Sequence, residues 1–234
     1  MTDDRSDAQR ALYEDEARAR AYDRLVRAED CDENVRRVLA SRLAPRGKHL
    51  VEVGAGTGRL TRTLLDLGAS VHATERAAPM LELGRKNIAG DVTWTECDAR
   101  ALPIEDDVAE GFVAGWVFGH FRLWMPDGWR EEVGQAFAEA RRVVQPGGTL
   151  VVFETLGTGV ETPQHRPALE EFFSWLETEQ GLTREVISTD YEFDSADAAA
   201  ECLGGFFGED MAARIRAKSW ARVPEFTGVW SGPV

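Results

Sequence analysis

The run Val51-Glu52-Val53-Gly54-Ala55-Gly56-Thr57-Gly58 constrains this chain more than any other segment. His49 to Val53 reads as a buried strand that breaks into a glycine-rich turn. A helical pattern then opens at Arg59-Leu60 and runs through Leu64 and Leu65. Three glycines at alternate positions let the backbone turn sharply and let a ligand approach the main chain without meeting a Cβ. The helix that follows presents unpaired N–H groups to whatever occupies the turn. Two acids separate this turn from an ordinary strand-to-helix connection. Glu52 lies inside the strand, and Glu75 lies 21 residues after Gly54.

The spacing is G-x-G-x-G. A dinucleotide fingerprint, G-x-G-x-x-G, needs a third small residue where Arg59 stands. A phosphate-cradling loop needs Gly-Lys-Ser/Thr at the end of the turn, and the sequence has none. The Glu52 charge repels a pyrophosphate and suits a ligand that carries an ammonium group. Glu75 ends the next expected strand, Ser70 to Glu75, where an acid can accept two hydrogen bonds from a ribose diol.

These residues resemble the class I S-adenosylmethionine-dependent methyltransferases, and the resemblance extends along most of the chain. Glu52 through Gly58 is similar to that family's first motif, and Glu75 to its ribose-binding acid. Cys97-Asp98-Ala99, followed by Leu102-Pro103, resembles the segment that reads adenine, with Asp98 near the exocyclic amine. Gly115-Trp116-Val117-Phe118-Gly119-His120 falls at the end of the fourth strand. Arg141 through Gly148 resembles the helix-Pro-Gly-Gly entry to the fifth. The resemblance implies S-adenosylmethionine as cofactor. It implies a Rossmann-like α/β fold: a seven-stranded, mostly parallel sheet with helices on both faces, an antiparallel last strand and an N-terminal helical cap. It implies that the last two strands form an antiparallel hairpin at one sheet edge. By analogy it places Tyr22, from a leading helix, over the methionine end of the cofactor. The expected cofactor set is Tyr22, Glu52, Gly54, Ala55, Gly56, Glu75, Arg76, Met80, Asp98, Ala99 and Trp116.

The 234 residues suffice for one α/β domain, expected as a cap over 1–46, a cofactor half over 47–157 and a substrate-side half over 158–234. No apolar run approaches the ~20 residues of a membrane helix. The acidic, polar start Met1 to Arg5 does not read as a secretory signal, so a cytoplasmic location is expected. Against 41 acids stand 27 Lys and Arg, a net charge of −14, which argues against a nucleic-acid surface. Cys31, Cys97 and Cys202 are scattered and odd in number, reading as reduced thiols. His49, His72, His120 and His165 lack metal-ligand spacing, so no metal is expected.

Helical patterns are expected over 7 to 28, with Ala8, Leu12, Tyr22, Leu25 and Val26 on one stripe, and over Asp32 to Leu43. Strand and helix patterns then alternate, which calls for a parallel sheet covered by helices. Further helices are expected at Ala78 to Ala89, around Val133 to Val144, at Pro167 to Gln180, after a Ser195 cap, and from Asp210 to Lys218. The remaining strands are expected at Val92 to Cys97, within Val108 to Phe118, and at Thr149 to Thr155, Thr183 to Phe193 and Ser219 to Trp230. A loop rich in Trp and Phe is expected after Phe118.

His120 is the candidate general base. It follows the fourth strand at the end of the sheet where open α/β folds bind ligands, and imidazole titrates near neutrality. Glu154 ends the fifth strand on the same side. It is a second catalytic candidate, with a structural acid paired to an arginine as its plainer reading. Phe121, Trp124, Trp129 and Tyr191 are the expected substrate contacts, because aromatic faces bind cations and shape apolar pockets. The expected activity is methyl transfer to an O or N atom of a small molecule. No Asn/Asp-Pro-Pro-Tyr run follows the fourth strand, as methylation of a base or amide nitrogen would suggest. Arg outnumbers Lys 24 to 3, in keeping with a GC-rich bacterial genome and a specialised metabolite as acceptor. The expected state is a monomer or homodimer. The alternatives are an NAD(P)-linked oxidoreductase and a non-catalytic protein that binds S-adenosylmethionine.

Overall fold

A computed structural model describes residues 13, 15–164 and 166–234. The expected start of the first helix, with Ala8 and Leu12, and His165 lie outside them. Strands β1 (His49–Val53), β2 (Ser70–Glu75), β3 (Val92–Glu96), β4 (Ala109–Gly115) and β5 (Val144–Thr158) pair in parallel. With β6 (Thr183–Ser188) and β9 (Glu225–Pro233) they form one seven-stranded sheet, in the order β3-β2-β1-β4-β5-β9-β6. In this sheet β9 runs opposite to the other six strands.

Alternation along each strand sends side chains to two cores. On one face Val51, Val53, Phe112, Ala114, Leu150 and Val152 pack against α6 (Trp129–Val143) and α7 (Glu170–Thr178). On the other, Leu50, Val71, Ala73, Val113, Val151 and Phe153 pack against α2 (Asn34–Leu43) and α3 (Arg59–Asp66). Helix α4 (Ala78–Asn87) lies beside β2 and β3. A third cluster joins α1 (Glu16–Ala28) to α8 (Ala196–Phe207) and α9 (Glu209–Lys218) through Leu25, Ala199, Leu203, Ala212 and Ile215. Two caps are made by side chains: Asp15 accepts from Arg18 N at 3.0 Å, and Ser195 accepts from Ala198 N at 3.1 Å.

Three sequence expectations are corrected here. The loop after β4 contains a helix, α5 (Gly119–Trp124). The alternating run Thr183 to Phe193 is two strands. β6 joins the main sheet, whereas β7 (Tyr191–Glu192) pairs with β8 (Arg222–Val223) in a small separate ribbon. The last two strands of the main sheet do pair antiparallel, but they are not a hairpin, because β7, α8, α9 and β8 lie between them. Fifth-strand pairing also extends beyond Thr149 to Thr155 in both directions. Among the described residues no helix is long and apolar enough to cross a membrane, and no cluster of His, Cys, Asp or Glu could hold a metal ion.

Candidate functional site

The carboxyl ends of β1, β2 and β4 open into a cavity of about 440 Å³, within the range of small-molecule sites. Its floor is the glycine turn. Gly54 and Gly56 sit at φ +62° and +57°, left-handed values that favour glycine. Added Cβ atoms would have different fates. At Gly54 a Cβ would stand 2.2 Å from Val117 Cγ2, closer than any Cβ contact allows. At Gly56 it would stand 3.4 Å from Met80 Cε and 3.7 Å from Tyr22 Cε1, both side chains of the cavity lining. The turn therefore leaves an open cradle at Gly56.

Glu75 closes the turn. It accepts the Gly56 N–H at 3.0 Å and the Ala77 N–H at 2.7 Å. Burial raises its pKa, and the backbone donors at Ala77 and Gly56 oppose that shift. Asp98 lies further along the wall. Its pKa is lowered, chiefly by Arg100, which donates Nε at 2.8 Å to one oxygen and Nη2 at 2.6 Å to the other. Arg100 also grips Glu132 of α6 and lines the cavity. The sequence reading passed over it.

The opposite end is aromatic. His120, on α5, stacks on Trp124 with centroids 4.4 Å apart and meets Tyr13 edge-on at 5.9 Å. Tyr13 also meets Tyr22 edge-on at 5.8 Å. Burial pushes the His120 pKa down to about 4, against a hydrogen bond from its ring to the Val117 carbonyl. The ring is therefore neutral near pH 7. A neutral imidazole has one ring nitrogen that donates and one that accepts. The expectation that this imidazole titrates near neutrality is corrected by its burial.

Of the expected residues, the cavity gathers Tyr22, Gly54, Gly56, Glu75, Arg76 and Met80, then Asp98, Ala99, Trp116, His120, Phe121 and Trp124. Five others lie off its lining. Glu52 faces the protein side of the turn. It accepts from Thr61 Oγ1 at 2.6 Å, and burial raises its pKa to about 8, so it offers no ammonium-binding charge to the cavity. Ala55 is buried, with its N–H on the Thr74 carbonyl. Trp129 is core, edge-on to Trp175 and Phe172. Tyr191 is buried with its hydroxyl on Glu29 at 3.2 Å. Glu154 is 4% exposed and accepts the Gly119 N–H at 2.8 Å. Its hydrogen-bond partner is backbone, and the Arg166 charge also acts on it. Trp116 reaches the cavity, but its ring face already carries the Arg59 guanidinium at 3.6 Å. Tyr13 was also missed, because a lone tyrosine in a stretch rich in Ala, Arg and Glu gives no periodic cue.

A family profile described as a methyltransferase domain matches residues 51–152. A ubiquinone/menaquinone biosynthesis C-methyltransferase of Paracoccus denitrificans is 38% identical over 120 residues, 48% of this chain and 44% of that protein. An uncharacterized methyltransferase of Geobacillus kaustophilus is 29% identical over 160 residues, 65% of this chain and 69% of that protein. The chain thus spans less than half the length of the first relative. A solved methyltransferase from Aquifex aeolicus that depends on S-adenosylmethionine shares the fold, with a TM-score of 0.56 at 14% identity. The match covers 94% of this chain and 99% of that one. Motif, sheet order and profile agree: residues 51–152 match a methyltransferase domain, and the chain is similar to the class I S-adenosylmethionine-dependent methyltransferases.

Proposed function

We propose that the protein transfers a methyl group from S-adenosylmethionine to an oxygen or nitrogen atom of a small-molecule acceptor, a specialised metabolite. One observation carries this reading. A single cavity joins the Gly54–Gly56 cradle and Glu75 to an uncharged aromatic end that contains His120. Bound S-adenosylmethionine supplies a methyl already activated by a positive sulfur, so alignment of the acceptor is the main task left to the protein.

The residues present fit that cofactor. Gly56 lets the ligand approach the backbone, and the spare lone pairs of Glu75 face the ribose position. Asp98, steadied by Arg100, faces the adenine position. Tyr13, Tyr22, Phe121 and Trp124 give the far end an aromatic lining. A ring nitrogen of the neutral His120 would accept the acceptor's O–H or N–H and so orient its lone pair. Glu154 holds the start of the helix that carries His120.

Calorimetry with S-adenosylmethionine, its demethylated product and NADH tests the cofactor. Binding of the first two and not the third is expected, and the reverse pattern would return the oxidoreductase reading. Transfer of a labelled methyl to a panel of phenols, amines and quinols then tests the acceptor. Carbon is a second reading for the accepting atom, favoured by the similarity of about half the chain to a quinone-pathway C-methyltransferase. A labelled C-methyl product would establish it.

A further inference from the structure

We infer that Arg59 is a positioning residue through which the helix α1 sets the Trp116 wall of the cavity. Arg59 is absent from the cavity lining, so the mechanism above does not use it. Its guanidinium nevertheless holds two partners from distant parts of the chain. One is Glu29, the residue that ends α1, which is paired with Arg59 in a largely buried ion pair. The other is the Trp116 ring, 3.6 Å away, at the end of β4. Glu29 is itself fixed by the Tyr191 hydroxyl at 3.2 Å.

Trp116 needs such a hold. Its φ of +57° is a left-handed value that a bulky residue keeps only where the surroundings over-determine it. Phe153 supplies part of that support. Its carbonyl accepts the Trp116 N–H at 2.7 Å, and its ring stacks at 5.6 Å. Arg59 supplies a cation on the indole face. Burial works against a guanidinium, but Glu29 favours its charge and raises its pKa, so the group over the indole stays charged at any working pH. Because α1 also carries Tyr22 into the cavity, docking of α1 and filling of the cofactor end share one joint. Two events that share a joint are linked, and each favours the other. A merely structural ion pair would stabilise the fold without this coupling.

The inference rests on the cofactor reading, with S-adenosylhomocysteine as probe. The test uses the full chain as wild type, Arg59→Lys, Arg59→Gln, Trp116→Leu and the Gln/Leu double variant. Calorimetry gives affinity, melting gives stability, and trypsin reads exposure of Arg20, Arg24 and Arg27 on α1. Arg59→Lys keeps the charge for Glu29 but not the planar stack. It should melt near wild type yet bind at least about tenfold more weakly. Arg59→Gln should weaken binding as much or more and abolish the protection of α1 that the probe gives wild type. In the double variant it should add nothing to Trp116→Leu. Wild-type affinity in Arg59→Lys, or additive losses in the double variant, would overturn the inference. If Arg59→Gln does not fold, Arg59→Lys carries the test. Failure of wild type to bind the probe would count against the cofactor reading instead. Ligand-free trypsin digestion then decides on Arg59. Faster cleavage of α1 in either Arg59 variant supports the joint, and an unchanged rate overturns it.

Discussion

Glu154 accepts the backbone N–H of Gly119 at 2.8 Å, one residue before His120. A carboxylate within β5 thus caps the short helix that holds the histidine in the cavity. Burial raises its pKa to about 7, against the N–H donors of Gly119 and Phe118. The arrangement gives Glu154 a holding task. Glu154→Gln keeps an oxygen for Gly119 and should leave turnover within a few-fold of wild type. Glu154→Ala orphans buried donors and should cost about 1–3 kcal/mol of stability, with turnover falling alongside. Melting curves and steady-state rates check both. A hundredfold loss in the Gln variant at wild-type stability would make Glu154 a base after all.

His120→Ala should lower turnover by about 10²-fold and leave the cofactor dissociation constant nearly unchanged. With its pKa pushed down to about 4, the wild-type ring contributes no inflection to the rate between pH 6 and 8. Its contribution should fall away only as the medium approaches that value and protonation removes the accepting lone pair. A rate inflection near pH 6.5 that vanishes in His120→Ala would show that the ring is solvated during turnover.

Gly54 and Gly56 should respond differently to the same methyl. Gly54→Ala drives a Cβ to 2.2 Å from Val117 Cγ2 and should destabilise the fold by about 1–3 kcal/mol. Gly56→Ala meets nothing closer than 3.4 Å, so it adds mainly backbone strain to the fold while narrowing the ligand's approach. It should weaken S-adenosylmethionine binding at least about tenfold with a smaller loss of melting temperature. Equal affinity in Gly56→Ala would move the cofactor away from the turn.

Alkaline pH should destabilise the protein. Glu52, Glu154 and Glu225 have pKa values raised by burial to about 8, 7 and 8. A carboxyl raised in the folded state binds a proton that the unfolded chain has already lost. Its contribution is full below the unfolded value and disappears as pH climbs through the folded one. The lowered His120 works in the other direction, but only below its ordinary value near 6.5. From pH 6.5 to 9, therefore, the melting temperature should drop, by about 5 °C or more. A flat curve would mean that water reaches these carboxyls.

The parts of the site that were readable from sequence share a local cause. Gly54, Gly56 and Glu75 sit at fixed distances from strand ends, so strand and helix periodicity places them without tertiary knowledge. His120 follows in the same way from the end of β4. What escaped depends on packing at long range. Trp129 stands in the same aromatic run as Trp124, but the turn of α5 carries it across to the core under α7. Tyr191 is expected to touch the substrate from one alternating strand, but the break after Ser188 turns it towards Glu29. Arg59 was visible as the residue that spoils a dinucleotide fingerprint. Its stack on Trp116 joins positions 57 residues apart, and no spacing rule foretells that.

The place of β9 also sets the order in which this sheet can be finished. β6 follows the five parallel strands in the chain, and among the described residues its neighbour in the main sheet is β9, which is made later still. During synthesis the five parallel strands can associate as they emerge, while β6 waits with both edges bare. Completion needs Glu225–Pro233, which pairs with β5 on one edge and with β6 on the other. Such a late, long-range step is slow, because a large loop must close before any pairing energy is gained. Ribosome-stalled chains that end before Glu225 should accordingly expose β6 to aggregation, and chains that include Pro233 should not.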